Sequence, residues 1–345
     1  MYMYSKSKYL IFCLIIYLQM KLSHKNRLFN ITSNSEFEEI ALETHRYQIK
    51  NNPIYSNFSS LILKGKKPGK INEIPFLPID FFKSEKIISK NKKSEIIFKS
   101  SGTSGIRSQH HVADLNLYKA SFMENFSKTY GEIKNTCIVG ILPSYAENGD
   151  SSLIYMVNSL IKKSTNLHSG FYNNNFEKLS SVLKEQESNN NNIIIIGVTY
   201  ALLDFAKNFS CPLKNTIIIE TGGTKGKRKE LLKEELHIVL QKAFQLKHIH
   251  SEYGMTELLS QAYSKENGIF SPPNWMKVLI RDINDPFSIL ANNKSGGVNI
   301  IDLANIDSCS FIATQDLGIK IDDSRFKING RFSNADIRGC NLLVE

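Results

Sequence analysis

Two apolar patterns alternate along this sequence and together predict an α/β protein. Short continuous apolar runs fall at 137–142, 193–198, 216–219 and 277–280, alternating with stretches of helical spacing at 115–126, 152–163, 200–208 and 229–246. Runs this short and this apolar suit strands buried on both faces, as in a parallel sheet covered by helices. A third observation concerns the later part of the chain. After Ser271 the helical pattern fades into SPPNW, DINDPF, ANNKSGG and repeated short apolar runs, which predicts a smaller strand-rich unit packed on the α/β body.

The elements follow in order. Residues 9–20, YLIFCLIIYLQM, form an apolar run behind Lys6 and Lys8, like the first regions of a signal peptide. A bilayer span needs about 20 residues, and KLSHKN follows in place of a small-residue cleavage site. The reading adopted is an over-extended gene start, with a signal or surface anchor as the alternative, so residues 1–27 are set apart. Residues 35–51 place Phe37, Ile40, Ala41, His45 and Gln48 on one side of a helix, acids early and bases late as the helix dipole favours. KINEIPFLPIDFFKS contains Pro75 and Pro78 and reads as an extended segment or turn. The polar, asparagine-rich tract 184–192 reads as a surface loop. The expected organisation is an α/β nucleotide-binding body over 28–268 and a strand-rich subdomain over 269–345.

With 345 residues, 41% hydrophobic and 22% charged, the chain has room for a buried site and lacks the composition of a disordered or rod-like protein. Its 43 basic and 33 acidic residues leave a net charge of +10, spread along the chain with no arginine-rich tract. A nucleic-acid partner is therefore not expected, nor is stable membrane insertion. Cys13, Cys137, Cys211, Cys309 and Cys340 are odd in number, widely spaced and without a Cys-x-x-Cys pair, so reduced thiols in a cytoplasmic protein are expected. Cys137, Cys211 and Cys309 read as structural. Cys340 has Arg338 and Arg331 near in sequence, and cationic neighbours favour a thiolate; a small hydrophobe in a terminal strand is the equal alternative.

Chemistry concentrates in a few strings. FKSSGTSGIRS, residues 98–108, runs from a strand end into glycines interleaved with hydroxyl residues. Backbone amides and the hydroxyls of Ser100, Ser101, Thr103 and Ser104 can point at phosphate oxygens there, with Gly102 and Gly105 letting the backbone close. A flexible Ser/Gly turn would look the same. It is not the Walker pattern. HSEYGMTELLSQAYS, residues 250–264, reads as Thr256 and Glu257 opening a helix, with Glu257 able to hold Mg²⁺, Thr256 able to meet a phosphate and Tyr253 offering a flat face. A capping Thr with a first-turn Glu accounts for either residue separately. ETGGTKGKR holds Gly222 and Gly223, where backbone can approach a ring; TQDLG and NGRFSNADIRGCNLL hold Asp316, able to accept ribose hydroxyls, and Arg331, able to brace a sugar or phosphate. His248 and His250 lack an evident third metal ligand, and His110 and His111 read as an ordinary polar turn. No Gly-x-Ser-x-Gly elbow supports a hydrolase.

In this order the strings resemble the nucleotide-binding motifs of the adenylate-forming superfamily, which includes phenylacetate-CoA ligase-like enzymes. More closely, IPFLPIDFFKS, SSGTSG, ETGGTKGKRKEL, HSEYGMTELLSQAYS, IDLANIDSCSFIATQDLG and GRFSNADIRGCNLL resemble the LuxE-type acyl-protein synthetase and acyltransferase family, from about Leu28 onward. The resemblance implies an adenylate-forming N-terminal-domain-like fold, layered sheets flanked by helices. It implies phosphate contacts from Ser100, Ser101, Gly102, Thr103, Ser104 and Gly105, and adenine-side contacts from Gly222, Gly223 and Tyr253. Thr256 and Glu257 would meet phosphate and Mg²⁺, Asp316 and Arg331 the ribose. ATP and Mg²⁺ are the implied cofactors, a carboxylic acid, a fatty acid by preference, the substrate, and a thiol, Cys340 or an external one, the acyl acceptor. The implied partner is an acyl-acceptor or reductase protein. The alternatives are a ligase for an aryl or surface-polysaccharide-linked acyl group, or a non-catalytic ATP-binding subunit. Two departures stand out. The loop has Arg107 and Ser108 where the superfamily has a lysine, and the expected chain lacks the mobile carboxy-terminal domain.

Overall fold

The computed structural model describes residues 25–101, 105–142, 149–173, 175–222 and 233–332. Helix α1 (Asn34–Asn51) begins where the Ser33 hydroxyl accepts a hydrogen bond from the Glu36 amide, and it buries Phe37, Ile40, Ala41, His45 and Gln48 as the spacing predicts. Helix α2 (Pro53–Leu63) follows at once, with proline at its start and Asn52 capping the Tyr55 amide. The proline-containing segment then supplies a two-residue strand β1 (Leu77–Pro78) and a short helix α3 (Phe81–Ser84).

The glycine loop lies within a hairpin of its own, β2 (Ile96–Lys99) and β3 (Gln109–Val112). Next comes the alternating body: α4 (Leu115–Tyr130), β4 (Cys137–Ile141), α5 (Ser152–Lys163), β5 (Gly170–Phe171), α6 (Phe176–Ser188), β6 (Ile193–Val198), α7 (Thr199–Asn208), β7 (Thr216–Thr221), α8 (Lys233–Phe244) and β8 (His250–Tyr253). Strands β5, β4, β6, β7 and β8 are parallel neighbours in that order. Every residue of β4 and β6 is buried, which is why their sequences read as unbroken apolar runs.

After β8 the sheet turns antiparallel. Strands β9 (Ala262–Ser264), β10 (Ile269–Ser271), β11 (Met276–Arg281), β12 (Ser295–Asp302), β13 (Phe311–Asp322) and β14 (Arg325–Arg331) extend it in the order β8, β9, β10, β14, β13, β12, β11. The expected division near Gly268 falls inside this sheet, between the hydrogen-bonded neighbours β9 and β10. Strand β1 joins the far side by pairing in parallel with β13.

Two expectations need correction. The tract 184–192 is not all loop: α6 continues to Ser188, Leu183 and Gln186 are buried, and Glu187 accepts the Lys214 and Asn215 amides at 3.1 Å and the Thr216 hydroxyl at 2.6 Å. The tract thus anchors the start of β7. Likewise, Thr256 and Glu257 do not open a helix; they occupy a turn between β8 and β9. No described helix is long and apolar enough to cross a membrane.

Two buried carboxyls occupy adjacent register positions on opposite faces of β7 and β8, where Glu220 pairs with Ser251 and Thr221 with Glu252. Glu220 is buried, which by itself raises a carboxyl, but His237 and Lys233 outweigh burial and hold it below its ordinary value. Among the described residues the Thr221 hydroxyl is the donor to Glu252, and burial, reinforced by the charge on Glu220, pushes it up to about 7. A carboxyl with a folded pKa above its unfolded value of 4.5 binds a proton on folding, so stability falls as pH rises through the window from 4.5 to about 7. The loss amounts to about 3 kcal/mol. Glu252→Gln is expected to remove this component: urea unfolding at pH 5 and pH 7.5 should show wild type falling relative to the variant by about 2 kcal/mol, the part of the loss between those pH values, whereas parallel pH curves would refute the assignment.

Candidate active site

The described flanks of the glycine loop form a closed base. The Ser100 amide donates to the Ser108 carbonyl at 3.1 Å, and the Ser108 amide donates to the Ser100 hydroxyl at 3.0 Å. Arg107 donates to the carbonyls of Ser100 and Lys99 and pairs with Asp150 at 3.3 Å. Its guanidinium therefore ties the base of the loop together. Gly105 has φ +96°, a left-handed conformation that favours glycine, and Ser101 is half-buried. Gly102, Thr103 and Ser104 lie outside the described residues, as do Gly223 and Cys340.

The turn after β8 is shaped by side chains from distant segments. Asp302, at the end of β12, accepts the Leu259 amide at 2.8 Å, the Ser260 amide at 2.9 Å and the Ser260 hydroxyl at 2.6 Å. Those amides are thereby satisfied without a helix. Gly254 is required by close approach, since a Cβ there would lie 2.4 Å from the Glu252 carboxylate. The carbonyls of the two key residues are held as well: Glu257 O accepts from the Asn305 amide at 2.8 Å, and Thr256 O lies 2.8 Å from His110 Nδ1. His110 Nε2 meets Asn305 Oδ1 at 3.0 Å.

His110 is thus a correction to the sequence reading. It is a fully buried member of β3, not part of a polar turn, and it joins the strand leaving the glycine loop to the Thr256–Glu257 turn. Ser108, one turn of strand earlier, reaches the Glu257 carboxyl with its hydroxyl. Nothing in the spacing of QHHV marks these contacts, whose partners lie 146 and 195 residues away.

Asp316 on β13 stands opposite Arg331 on β14, and Arg331 Nε donates to Asp316 Oδ1 at 2.8 Å. The Tyr253 hydroxyl donates to the other oxygen, Oδ2, at 2.7 Å. In a flat sheet, four ladder steps from β8 to β13 would separate them by about 19 Å. The contact therefore requires the sheet to curl, and Tyr253 packs against Phe270 of β10 and Phe326 of β14 on the inside of that curl. Gly222, with φ +71° and open space where a Cβ would stand, sits at the carboxyl end of β7, beside the end of β8. Ligands of parallel sheets bind beyond these carboxyl ends.

Burial raises the Glu257 pKa, while the Ser108 hydroxyl and the charges of Arg331 and Lys83 pull the other way. Arg331 is itself raised above its ordinary value by Asp316. Among the described residues no cluster of three or more His, Cys, Asp or Glu could hold a metal by itself. Mg²⁺ is commonly held by one or two carboxylates together with substrate phosphates and water, and Glu257 is the carboxylate here that would supply such a ligand. Among the described residues Asp316 has one protein donor on each oxygen, and a carboxylate offers about four acceptor positions. The described cysteines are poor nucleophiles: burial pushes Cys137 up to about 11 and Cys309 up to about 12, and raises Cys211. Cys309 precedes β13 and is not within it. His248 pairs with Glu266, and His250 meets the Tyr130 hydroxyl.

Solved structures share this architecture. ATP-bound MatB from Rhodopseudomonas palustris is 14% identical, with a TM-score of 0.51 over 68% of this chain and 47% of that one. An open conformation of 2-hydroxyisobutyryl-CoA ligase with 2-HIB-AMP and CoA is 11% identical, with a TM-score of 0.61 over 89% and 78%. The same ligase in its postadenylation state gives 10% identity and a TM-score of 0.60 over 88% and 69%. The fold is that of adenylate-forming enzymes, and the chain spans about half the length of MatB. No curated protein matches it. The family profile described as "Acyl-protein synthetase, LuxE" matches residues 33–345, and the chain belongs to that family.

The Tyr253 hydroxyl is the link by which β8 reaches β13. Tyr253→Phe keeps the ring packing and removes one hydrogen bond to a carboxylate, which is expected to cost about 2 kcal/mol in urea unfolding; a loss below about 0.5 kcal/mol would show that this bond does not join the two strands.

Proposed function

We propose that this protein activates a carboxylic acid with ATP, forming an acyl-adenylate and releasing pyrophosphate, and then passes the acyl group to a thiol. The observation that carries the reading is the pair of linked groups after β8, residues 108, 110, 256 and 257 about one turn and residues 253, 316 and 331 across β8, β13 and β14, with the charge of Arg331 acting on Glu257. In the first step a carboxylate oxygen attacks the α-phosphorus of ATP. A phosphorus–oxygen bond forms to the acid while the bond to pyrophosphate breaks, and the departing group carries the negative charge away.

Positioning and charge neutralisation do most of this work. Tyr253 and Gly222 border the base, Asp316 accepts ribose hydroxyls, and Arg331 braces the sugar or phosphate. Thr256 meets a phosphate oxygen, as do Ser100, Ser101 and the rest of the glycine loop. Mg²⁺ at Glu257 would neutralise phosphate charge when bound. In the second step a thiolate attacks the acyl carbon and AMP leaves. Cys340 is the proposed internal acceptor. A fatty acid is the proposed substrate, with an acyl-acceptor or reductase protein as partner.

Acid-dependent exchange of labelled pyrophosphate into ATP is the direct test, run with a panel of fatty, aryl and other carboxylic acids. Exchange is expected with wild type, and Glu257→Gln should lower it by about 100-fold, the scale at which lost electrostatic stabilisation is felt. Cys340→Ser should leave exchange intact and abolish covalent acylation seen by mass spectrometry. Absence of exchange with every acid would overturn the reading.

A further inference from the structure

The motif IPFLPIDFFKS is fixed against the site from two sides. On one side, β1 pairs with β13 through Leu77 with Ile312 and Pro78 with Ala313, and the Ile79 amide continues the ladder to the Ala313 carbonyl at 3.0 Å. Asp80 then accepts from the Gln315 side chain at 2.6 Å. Gln315 precedes Asp316, and its carbonyl receives the amide of Phe332, the residue after Arg331, at 2.9 Å. On the other side, the buried Phe82 ring meets His110 edge to face at 5.7 Å, and His110 holds the Thr256 carbonyl. Helix α3 therefore lies between the Asp316–Arg331 pair and the Thr256–Glu257 turn.

We infer that Lys83, on this helix, supplies the positive charge for the pyrophosphate portion of the bound nucleoside triphosphate. The inference rests on the activity proposed above and adds a binding residue to it. Between Ser100 and Ser108 the glycine loop has no lysine. The cations at its base are engaged elsewhere, Arg107 with two carbonyls and Asp150, Lys99 with Asp150 at 3.6 Å. Lys83 has a different kind of partner. It pairs with Asp80 at 2.6 Å across an exposed i,i+3 spacing, the side chains 43% and 50% accessible, and pairs of that type are weak enough to yield to a phosphate. Its charge also acts on Glu257, as that of Arg331 does.

Calorimetric titration of the full chain with magnesium pyrophosphate, and separately with AMP, tests this. Lys83→Gln is expected to weaken pyrophosphate binding by about 10-fold or more while AMP binding stays the same, because AMP lacks the group the ammonium would contact. Lys83→Arg should restore binding to within about 3-fold, and in the exchange assay the KM for pyrophosphate should rise more than kcat falls. An equal loss for AMP and pyrophosphate, unchanged pyrophosphate binding, or no pyrophosphate binding by wild type would each overturn the assignment. If wild type binds pyrophosphate in a Lys83-dependent way yet exchanges none with any acid, the anion site stands and the acyl-activation reading falls.

Discussion

One buried carboxylate sets the form of the site. Asp302 is fully buried at the end of β12, and the donors of the 259–260 segment converge on it, with the Ala304 amide as a fourth at 3.2 Å. Burial still pushes its pKa up to about 6, against these bonds. Leaving such donors without an acceptor inside the protein would cost each of them its desolvation penalty, so the segment has little choice of path. The Ser260 hydroxyl carries the constraint onward to Trp275 and Ser121, while Asn125 holds the Gln261 carbonyl. From this fixed segment the chain runs back three residues to Glu257, whose carbonyl and side chain are held by Asn305 and Ser108.

The change from parallel to antiparallel pairing gives the site its other half. Parallel strands place Gly222 and Tyr253 at one edge by the same logic that governs doubly wound sheets. The antiparallel strands that follow curl back over that edge, and the pairing of Asp316 with Arg331 is delivered by register alone. A fully parallel sheet would have kept these groups apart. The boundary between the two modes lies at β8 and β9, and the turn joining them carries Thr256 and Glu257.

Much of this was legible in the sequence, and the parts that were not have a common cause. Strands β4 and β6 announced themselves because both faces are buried, leaving unbroken apolar runs. Motif order singles out Asp316, Arg331 and Tyr253, and the structure brings these three together. The Thr256–Glu257 segment was misread because a Thr-Glu pair is also a helix start, and the amides that would have made it one are taken by Asp302, more than forty residues on. His110 was passed over for the same reason, since its partners are remote. Asp302 itself lay within IDLANIDSCS with no role suggested; an acid closing an apolar strand was the available signal. In the 184–192 tract, composition suggested a loop, but Leu183 and Gln186 had a core to face and Glu187 had three donors to receive.

The pairing of β1 with β13 has a consequence for biosynthesis. Asp80 and Gln315 are 235 residues apart in the chain. A polypeptide leaving the ribosome exposes its early apolar segment, Phe76 to Phe82, long before the strand that covers it has been made. Contacts of such high sequence separation close late and slowly. Until translation has passed Arg331, the nascent chain has neither the Asp316–Arg331 ion pair nor the β13 partner of that segment.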